Sequence, residues 1–370
     1  VPFFKKLIKE KSSFFPITDK NMTRFAITIK ESIDSNKCSL VNIFKSNIGG
    51  VFSYNIYKIK KCRIYTDTVT DTAFIADKKI IVGPSFQLRK LNVNADISEN
   101  IILSKGTPRI KKKLKGSVFS LLTGGAGNSN YWHWLFDVLP RIKILESKIG
   151  LDEINYFLLP DLKEKFQNET LDLINVPVKK RISSKKFRHI EAETVIAVDH
   201  PINFNNNPNK DIQNMPKWIL EDLRFKFLKN ENTKKYPDKI YIDRSDAKSN
   251  HKNLRKILNE TEIINLLEKK GFSIIKLSDF KFIEQVNLFN NASQIIGLHG
   301  GGFANLTFCK PETFVLELKS ITAGDVIGNL ARKLDLNFHE IAREPEDESK
   351  DQQGLIKVPI ELLEKKLLQV

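Results

Sequence analysis

The sequence predicts an α/β protein. Its C-terminal part should form a parallel, doubly wound sheet, and its larger N-terminal part should begin β-rich. Three observations point this way. From residue 239 onward, strand-length apolar runs alternate with helical segments of about ten residues, the pattern of βαβ units. Between residues 40 and 120 the apolar residues form short β-type runs separated by turn residues. The run "QIIGLHG" enters three consecutive glycines, Gly300, Gly301 and Gly302, as a buried strand does on meeting a tight turn.

In chain order, the first strands are "VFSYNIYKI", "CRIYTDTV", "TAFIAD", "KIIVG" and "SVFSLLT". The basic stretch "KGTPRIKKKLKG" (105–116) reads as a loop or hairpin arm, a solvated surface turn. From about 130 helix and strand alternate. "YWHWLFDVLPRIKILESKIG" has a helical apolar period and closes on Gly150. "INYFLLP" is a buried strand stopped by Pro160, "DLKEKFQNETLDLINV" a helix and "TVIAVD" a short strand. A long polar loop, 203–216, precedes the amphipathic helix "KWILEDLRFKFLKN". The charged "ENTKKYPD", with Pro237, marks a domain boundary.

Beyond that boundary come the strand "KIYIDR", the helix "NETEIINLLEKKG" closed by Gly271, the strand "FSIIKL" and the helix "FIEQVNLFNNA". The glycine-ended strand follows, then the strand "FVLELK", the helix "AGDVIGNLARKLDL" and the strand "NFHEIAR". With 370 residues the chain exceeds what one core usually serves. The expected division is 1–235, then 236–343 as a Rossmann-like domain. Residues 344–370 are an acidic connector and a terminal helix that could pack back on the N-terminal domain.

Lys and Arg number 60 against 44 Asp and Glu, a net charge of +16. Such a chain attracts nucleic acid, anionic membranes or phosphorylated small molecules. A bias towards Lys, Asn and Ile explains much of the charge without a functional demand. The charge is spread along the chain, and no helix-turn-helix, zinc-finger or RNA-recognition signature occurs, so nucleic acid is not an expected partner. Three sparse cysteines, Cys38, Cys62 and Cys309, make no disulfide framework and suggest a reducing compartment. No CxxC or HExxH spacing occurs, and no metal site is expected.

No run of 18 apolar residues is present. The start, "VPFFKKLIKEKSSFFPI", is no signal peptide, because lysines break its apolar pairs. It reads as an edge packed on its own domain, with an interfacial membrane segment as the alternative. The expected location is cytoplasmic, with peripheral contact at the inner membrane face as a further reading.

Two constellations carry chemistry. In open parallel sheets, ligands bind beyond the carboxyl ends of the strands. The Gly300–Gly302 turn after His299 lies at such an end and can expose N–H groups to a pyrophosphate. Arg244 ends the strand "KIYIDR", where a guanidinium suits phosphate oxygens, with Lys248 and Arg255 nearby. Glu317 follows "FVL" at another strand end, a place where a carboxylate can accept ribose hydroxyls. The second constellation is "GGAGNSNYWHWLFDVLPRI". Asn130, His133 and Asp137 are spaced to share one helix face. Asp137 beside His133 would raise the imidazole's basicity, making a general base. Trp132, Trp134 and Phe136 offer aromatic walls of the kind that stack on sugars.

Taken together, "NYWHWLFDVLPRI", "YIDRSDAKSNHKNLRKILNETEI" and "GFSIIKLSDFKFIEQVNLFNNASQIIGLHGGGFANLTFCKPETFVLEL" resemble glycosyltransferase family 61. The family's pattern falls on Asn130, His133, Trp134, Asp137, Pro140 and Arg141, then on Tyr241 and Arg244. It continues on Arg255, Asn259 and Glu260, on Glu284 and Gln285, and on His299, Gly300, Gly301, Gly302 and Asn305. Residues before about 115 match nothing nameable in the family.

The resemblance implies a GT-B architecture, two Rossmann-like domains facing across a cleft, here with an extra β-rich N-terminal segment. It implies an inverting hexosyl- or pentosyltransferase with a nucleotide-sugar donor, usually a UDP-sugar, and neither metal nor other cofactor. The donor side would comprise Arg244, Lys248, Arg255, His299, the three glycines, Asn305 and Glu317. His133 would be the base, oriented by Asp137. Asn130, Trp132, Trp134 and Arg141 would lie on the side of a glycan acceptor. Without an evident anchor or secretion signal, the chain looks like bacterial members linked to surface or capsular polysaccharide synthesis. A basic nucleic-acid-binding protein and a non-catalytic nucleotide-sugar or glycan-binding module are the competing classes.

Overall fold

The computed structural model describes residues 26–67, 72–85, 96–122, 129–202, 207–228, 234–246, 255–347 and 354–368. The chain forms two compact units. One comprises Val1–Asn128, Arg141–Asp161 and Lys179–Pro201; the other comprises Ser129–Pro140, Leu162–Val178 and Ile202–Val370. The division thus differs from a single cut near 235. The segment Ser129–Pro140, with the His133 motif, belongs with the C-terminal sheet.

The first unit is built on a nine-stranded mixed sheet. Its parallel block is Arg181–Ser183, Tyr156–Leu159, Lys112–Ser120 and His189–Val198. The long strand Phe52–Thr66 pairs antiparallel with His189–Val198, Val41–Ile48 and Thr72–Ala76. Side chains two apart on a strand share a face, and here both faces are used. Ile64, Phe74 and Ala76 enter one buried cluster, whereas Tyr65, Ala73 and Ile75 enter another. Asp77 and Lys78, with φ of 47° and 62°, turn the chain between Thr72–Ala76 and Lys79–Val82, as a two-residue hairpin requires.

The basic stretch 105–116 is not a surface turn throughout. Lys112 to Gly116 open the strand Lys112–Ser120, which lies between Tyr156–Leu159 and His189–Val198. The lysines stay solvated while their backbone pairs. All three cysteines are buried free thiols.

The second unit holds a five-stranded, all-parallel sheet. Its spatial order is Ser273–Lys276, Lys239–Asp243, Gln294–Leu298, Phe314–Ser320, Asn337–Arg343. The first and third strands in sequence are therefore neighbours. At such a switch point the connections diverge and open a crevice beyond the carboxyl ends of the two strands. Ile242 is paired with Gly297, so Arg244 and His299 leave the sheet side by side.

The terminal helix, Ile360–Leu367, packs on this same sheet, within the second unit. Ile356, Val358 and Leu363 join the buried cluster of Tyr241, Ile263 and Leu298. Asn259, at the start of the helix Glu260–Lys269, does not cap it with its side chain. It instead donates to the Val358 carbonyl at 2.8 Å and accepts from the Val358 amide at 3.0 Å. Among the described residues no helix is long and apolar enough to cross a membrane.

Leu363 is fully buried, so Leu363→Ala should lower the stability of this unit by about 2–5 kcal/mol, read as a shifted urea midpoint. An unchanged midpoint would show that the tail contributes nothing to this core.

Candidate active site

The helical run from Tyr131 is pinned by its aromatic residues. Trp134 is fully buried and donates from Nε1 to Thr170 Oγ1 at 2.8 Å. Trp132 meets Phe136 edge-on, with centroids 4.6 Å apart. Asn130 starts the run, its side-chain oxygen 3.4 Å from the His133 amide. One α-turn, Tyr131–His133, passes into a π-helical turn, Trp134–Val138, where the Leu139 amide reaches the Trp134 carbonyl at 3.1 Å. Pro140 follows and can offer no N–H to the turn before it. His133 and Asp137, four apart, stay on one face across the π-turn.

His133 Nδ1 and Asp137 Oδ2 are 2.8 Å apart, with the imidazole side chain 28% exposed and the carboxylate 4% exposed. Burial disfavours the protonated ring, but the Asp137 charge and hydrogen bond more than offset it, so the His133 pKa lies above its ordinary 6.5. The exposed edge of the ring thus belongs to a strengthened base.

At the switch point, Arg244 and Arg255 converge on one acceptor, the backbone carbonyl of His299. Arg244 donates from Nη1 in a short contact, and Arg255 donates from Nη1 at 3.0 Å. Burial works against the charge of Arg244 and lowers its pKa. The glycine after His299 makes this possible. A Cβ on Gly300 would fall 2.6 Å from Arg244 Nη1 and 2.7 Å from its Cζ. A Cβ on Gly302 would fall 2.8 Å from Leu277 Cδ1, whereas one on Gly301 would meet only ordinary contacts, with the Trp132 amide at 3.8 Å and Asn130 Oδ1 at 3.9 Å.

Those last contacts join the two constellations. Tyr131 donates its hydroxyl to Asn305 Oδ1 at 2.6 Å, across 174 positions of sequence. Burial raises the Tyr131 pKa well above the tyrosine range, which keeps that proton in place. Asn305 Nδ2 in turn donates to Gln285 Oε1 at 3.0 Å, and Gln285 Nε2 donates to the Leu277 carbonyl at 2.9 Å. The His133 helix and the 3-10 helix Gly301–Phe308 are thereby locked within one unit.

Several expected roles change. Glu317 is fully buried and hydrogen-bonds His299 Nδ1 in a short contact, so it has no surface for a ribose. Asn305 is likewise fully buried and connects helices. Trp134 is internal and no wall for a sugar. Arg141 belongs to the first unit, buried, with Nη1 3.4 Å from the Val198 carbonyl. Lys248 lies outside the described residues. Brought together are Asn130, Trp132, His133, Asp137, Arg244, Arg255, His299 and Gly300 to Gly302.

Lys319 escaped the sequence reading. It is buried, with Nζ 2.6 Å from Glu340 Oε2 and 3.8 Å from Glu317 Oε2. The signal was the spacing in "FVLELKS", where Glu317 and Lys319 share a strand face.

A profile of the family described as Glycosyltransferase 61 matches residues 131–316, half of the chain. A second, described as Polysaccharide biosynthesis protein, matches residues 1–63. The EGF domain-specific O-linked N-acetylglucosamine transferase of Gallus gallus is 36% identical over 69 residues, 17% of this chain and 13% of its own length. That of Xenopus laevis is 34% identical over 83 residues, 21% of this chain and 16% of its own. The chain therefore spans less than a fifth of the length of these curated relatives. Among solved structures, the bacterial iron-containing dodecameric glycosyltransferase TibC from enterotoxigenic E. coli aligns over 80% of this chain and 81% of its own. The identity is 14% and the TM-score 0.29, too low to compare architectures.

The His133–Asp137 pair makes a direct prediction for NMR titration. The His133 ring should titrate above 6.5, and Asp137→Asn should bring it below, because burial then acts unopposed. An unmoved titration in the variant would dissolve the pair.

Proposed function

This chain belongs to the glycosyltransferase 61 family, and from that premise we propose that it moves a sugar from a nucleotide-sugar to a hydroxyl of a glycan acceptor. The donor is taken to be a UDP-sugar and the transfer to invert the anomeric carbon without a metal. One observation supports this most directly. A strengthened histidine base shares a compact unit with two arginines and a glycine turn at the switch point of a parallel sheet.

In this mechanism His133 takes the proton of the acceptor hydroxyl. The hydroxyl oxygen bonds to C1 of the sugar as the bond from C1 to the diphosphate oxygen breaks. Asp137 holds the ring and stabilises its protonated form. Negative charge grows on the departing diphosphate, and preorganised donors favour it there. A guanidinium has five N–H donors, and Arg244 spends one on the His299 carbonyl. Glu317 fixes the His299 ring beneath the turn.

A GT-B plan is part of the proposal. It is supported by the switch-point sheet of the second unit and by the parallel block in the first. A bacterial surface polysaccharide as the acceptor is supported by the polysaccharide-biosynthesis match at 1–63. The proposed location is the cytoplasm, with peripheral membrane contact. The names of the vertebrate relatives make N-acetylglucosamine the first sugar to try.

A screen of UDP-, GDP- and CMP-sugars for release of the nucleoside diphosphate tests the reading, and no turnover with any donor would favour a binding module instead. His133→Ala should lower the rate by about 10²–10⁴-fold and leave UDP affinity by calorimetry nearly unchanged. Loss of both would remove it from the role of base. The neutral ring is the active form, so kcat/KM should rise with pH through a midpoint above 6.5, and Asp137→Asn should shift that limb down.

Arg244→Ala and Gly300→Ala should each weaken UDP binding at least about tenfold, the second by displacing Arg244. Equal affinity in both would refute the phosphate role. Full activity after exhaustive EDTA treatment is expected, whereas strict dependence on added Mn²⁺ would contradict the metal-free reading.

A further inference from the structure

We propose that the first unit carries a second ligand site, for a phosphate or similar anion joined to an apolar group. It lies where the strands Lys112–Ser120 and His189–Val198 begin and the strand Phe52–Thr66 ends. The proposal goes beyond the transfer reaction and does not rest on it.

The site is a cavity of about 230 Å³. Among the described residues, Lys105, Lys111, Lys112, Lys186 and Arg188 line it against one carboxylate, Asp67. Its remaining walls include Tyr65, Ile101, Ile102 and Pro108. Register explains the clustering. His189 is paired with Tyr65 on one side, and Ile190 is paired with Lys112 on the other. Three adjacent strands thus deliver an aromatic ring, an imidazole and an ammonium to one end of the sheet.

Not every cation is available. Arg188 is tied to Asp67 Oδ1 at 2.8 Å and to the Thr66 carbonyl at 2.8 Å, and Lys111 is paired with Glu191. Lys112 lies 4.2 Å above the Phe187 ring. Among the described residues, neither Lys112 nor Lys186 has a carboxylate within ion-pair distance, and both are exposed. A surplus of positive charge remains at the mouth.

The imidazole agrees with that sign. His189 Nδ1 is 3.0 Å from the Ile110 carbonyl, and Nε2 is 3.4 Å from Arg63 Nη1. This fits a neutral ring that donates from Nδ1 and accepts at Nε2. Burial first, then the charges of Arg63 and Lys111, push its pKa down to about 4. A cationic ligand would meet the same repulsion, and a wholly neutral one would leave the lysines unused. An ammonium-rimmed pocket with isoleucine and proline walls suits an anionic head next to a few apolar carbons. That chemistry occurs in free alkyl phosphates and in phosphate-bearing lipids alike.

The test uses the full chain and n-octyl phosphate, with calorimetry as the readout. Saturable binding is expected, weaker for inorganic phosphate and absent for n-octyl glucoside. The double variant Lys112→Glu with Lys186→Glu should bind at least about tenfold more weakly. Unchanged thermal unfolding would show that its fold is intact. No binding of octyl phosphate, equal binding by the charge-reversed variant, or equal binding of the glucoside would overturn the site. Inorganic phosphate binding as tightly as octyl phosphate would overturn the apolar half of the assignment, and with it the proposal. Sedimentation with phosphatidylcholine vesicles, with and without phosphatidic acid, identifies the source. Phosphatidic-acid-dependent capture that the double variant loses supports a lipid. Octyl phosphate binding without capture supports a free molecule.

Discussion

The carbonyl oxygen of His299 is the point on which the site depends. Two guanidiniums, Arg244 and Arg255, arrive from separate segments and donate to it. Hydrogen bonds from charged donors are worth about 1.5–3 kcal/mol each. A Cβ on Gly300 would displace the Arg244 guanidinium from this position. His299 is held from below by Glu317, and its amide donates across to the Leu318 carbonyl of the neighbouring strand at 2.8 Å. The sheet edge, the turn and both arginines are thus referred to one peptide group.

Beneath that group lie buried Glu317 and Lys319, with the exposed Glu340 beside them. Glu317 and Glu340 are cross-strand partners, and Lys319 reaches both. A buried charge costs several kcal/mol unless it is paired, and two carboxylates alone would repel. Lys319 offsets that repulsion, and the His299 ring occupies the remaining face of Glu317. The cluster explains why a carboxylate is tolerated after the apolar run Phe314, Val315 and Leu316 of this strand.

Much of the C-terminal sheet was legible in the sequence, because strand and helix periodicities are local. The ends of "KIYIDR" and "QIIGLHG" already placed Arg244 and His299 at carboxyl termini of strands. The four-residue spacing of His133 and Asp137 likewise announced their contact. What was illegible depended on distance or on exception. No local pattern says that Tyr131 reaches Asn305, so the His133 helix was assigned to the wrong side of the division. Pro140 and the π-turn before it are not visible in an apolar period. The lysines of 111–115 mask a strand because periodicity rules follow apolar residues, whereas backbone pairing needs none. Glu317 misled because analogy with ribose-binding carboxylates outweighed its neighbours. A run as apolar as "FVLEL" in a sheet covered on both faces buries its carboxylate too.

The interleaving of the two units bears on how the chain is made. The polypeptide passes between them five times before residue 203. Tyr131 leaves the ribosome 174 positions ahead of Asn305, a delay of roughly 10–35 s at ordinary rates of synthesis. Through that interval the Tyr131 hydroxyl waits for Asn305, although the helix carrying Thr170, which meets Trp134, is made within 36 positions. The first unit is fully translated by residue 201, whereas the second, begun at Ser129, must wait for its C-terminal half. The architecture that joins the His133 helix to the C-terminal sheet therefore makes the second unit the one whose folding waits longest on synthesis.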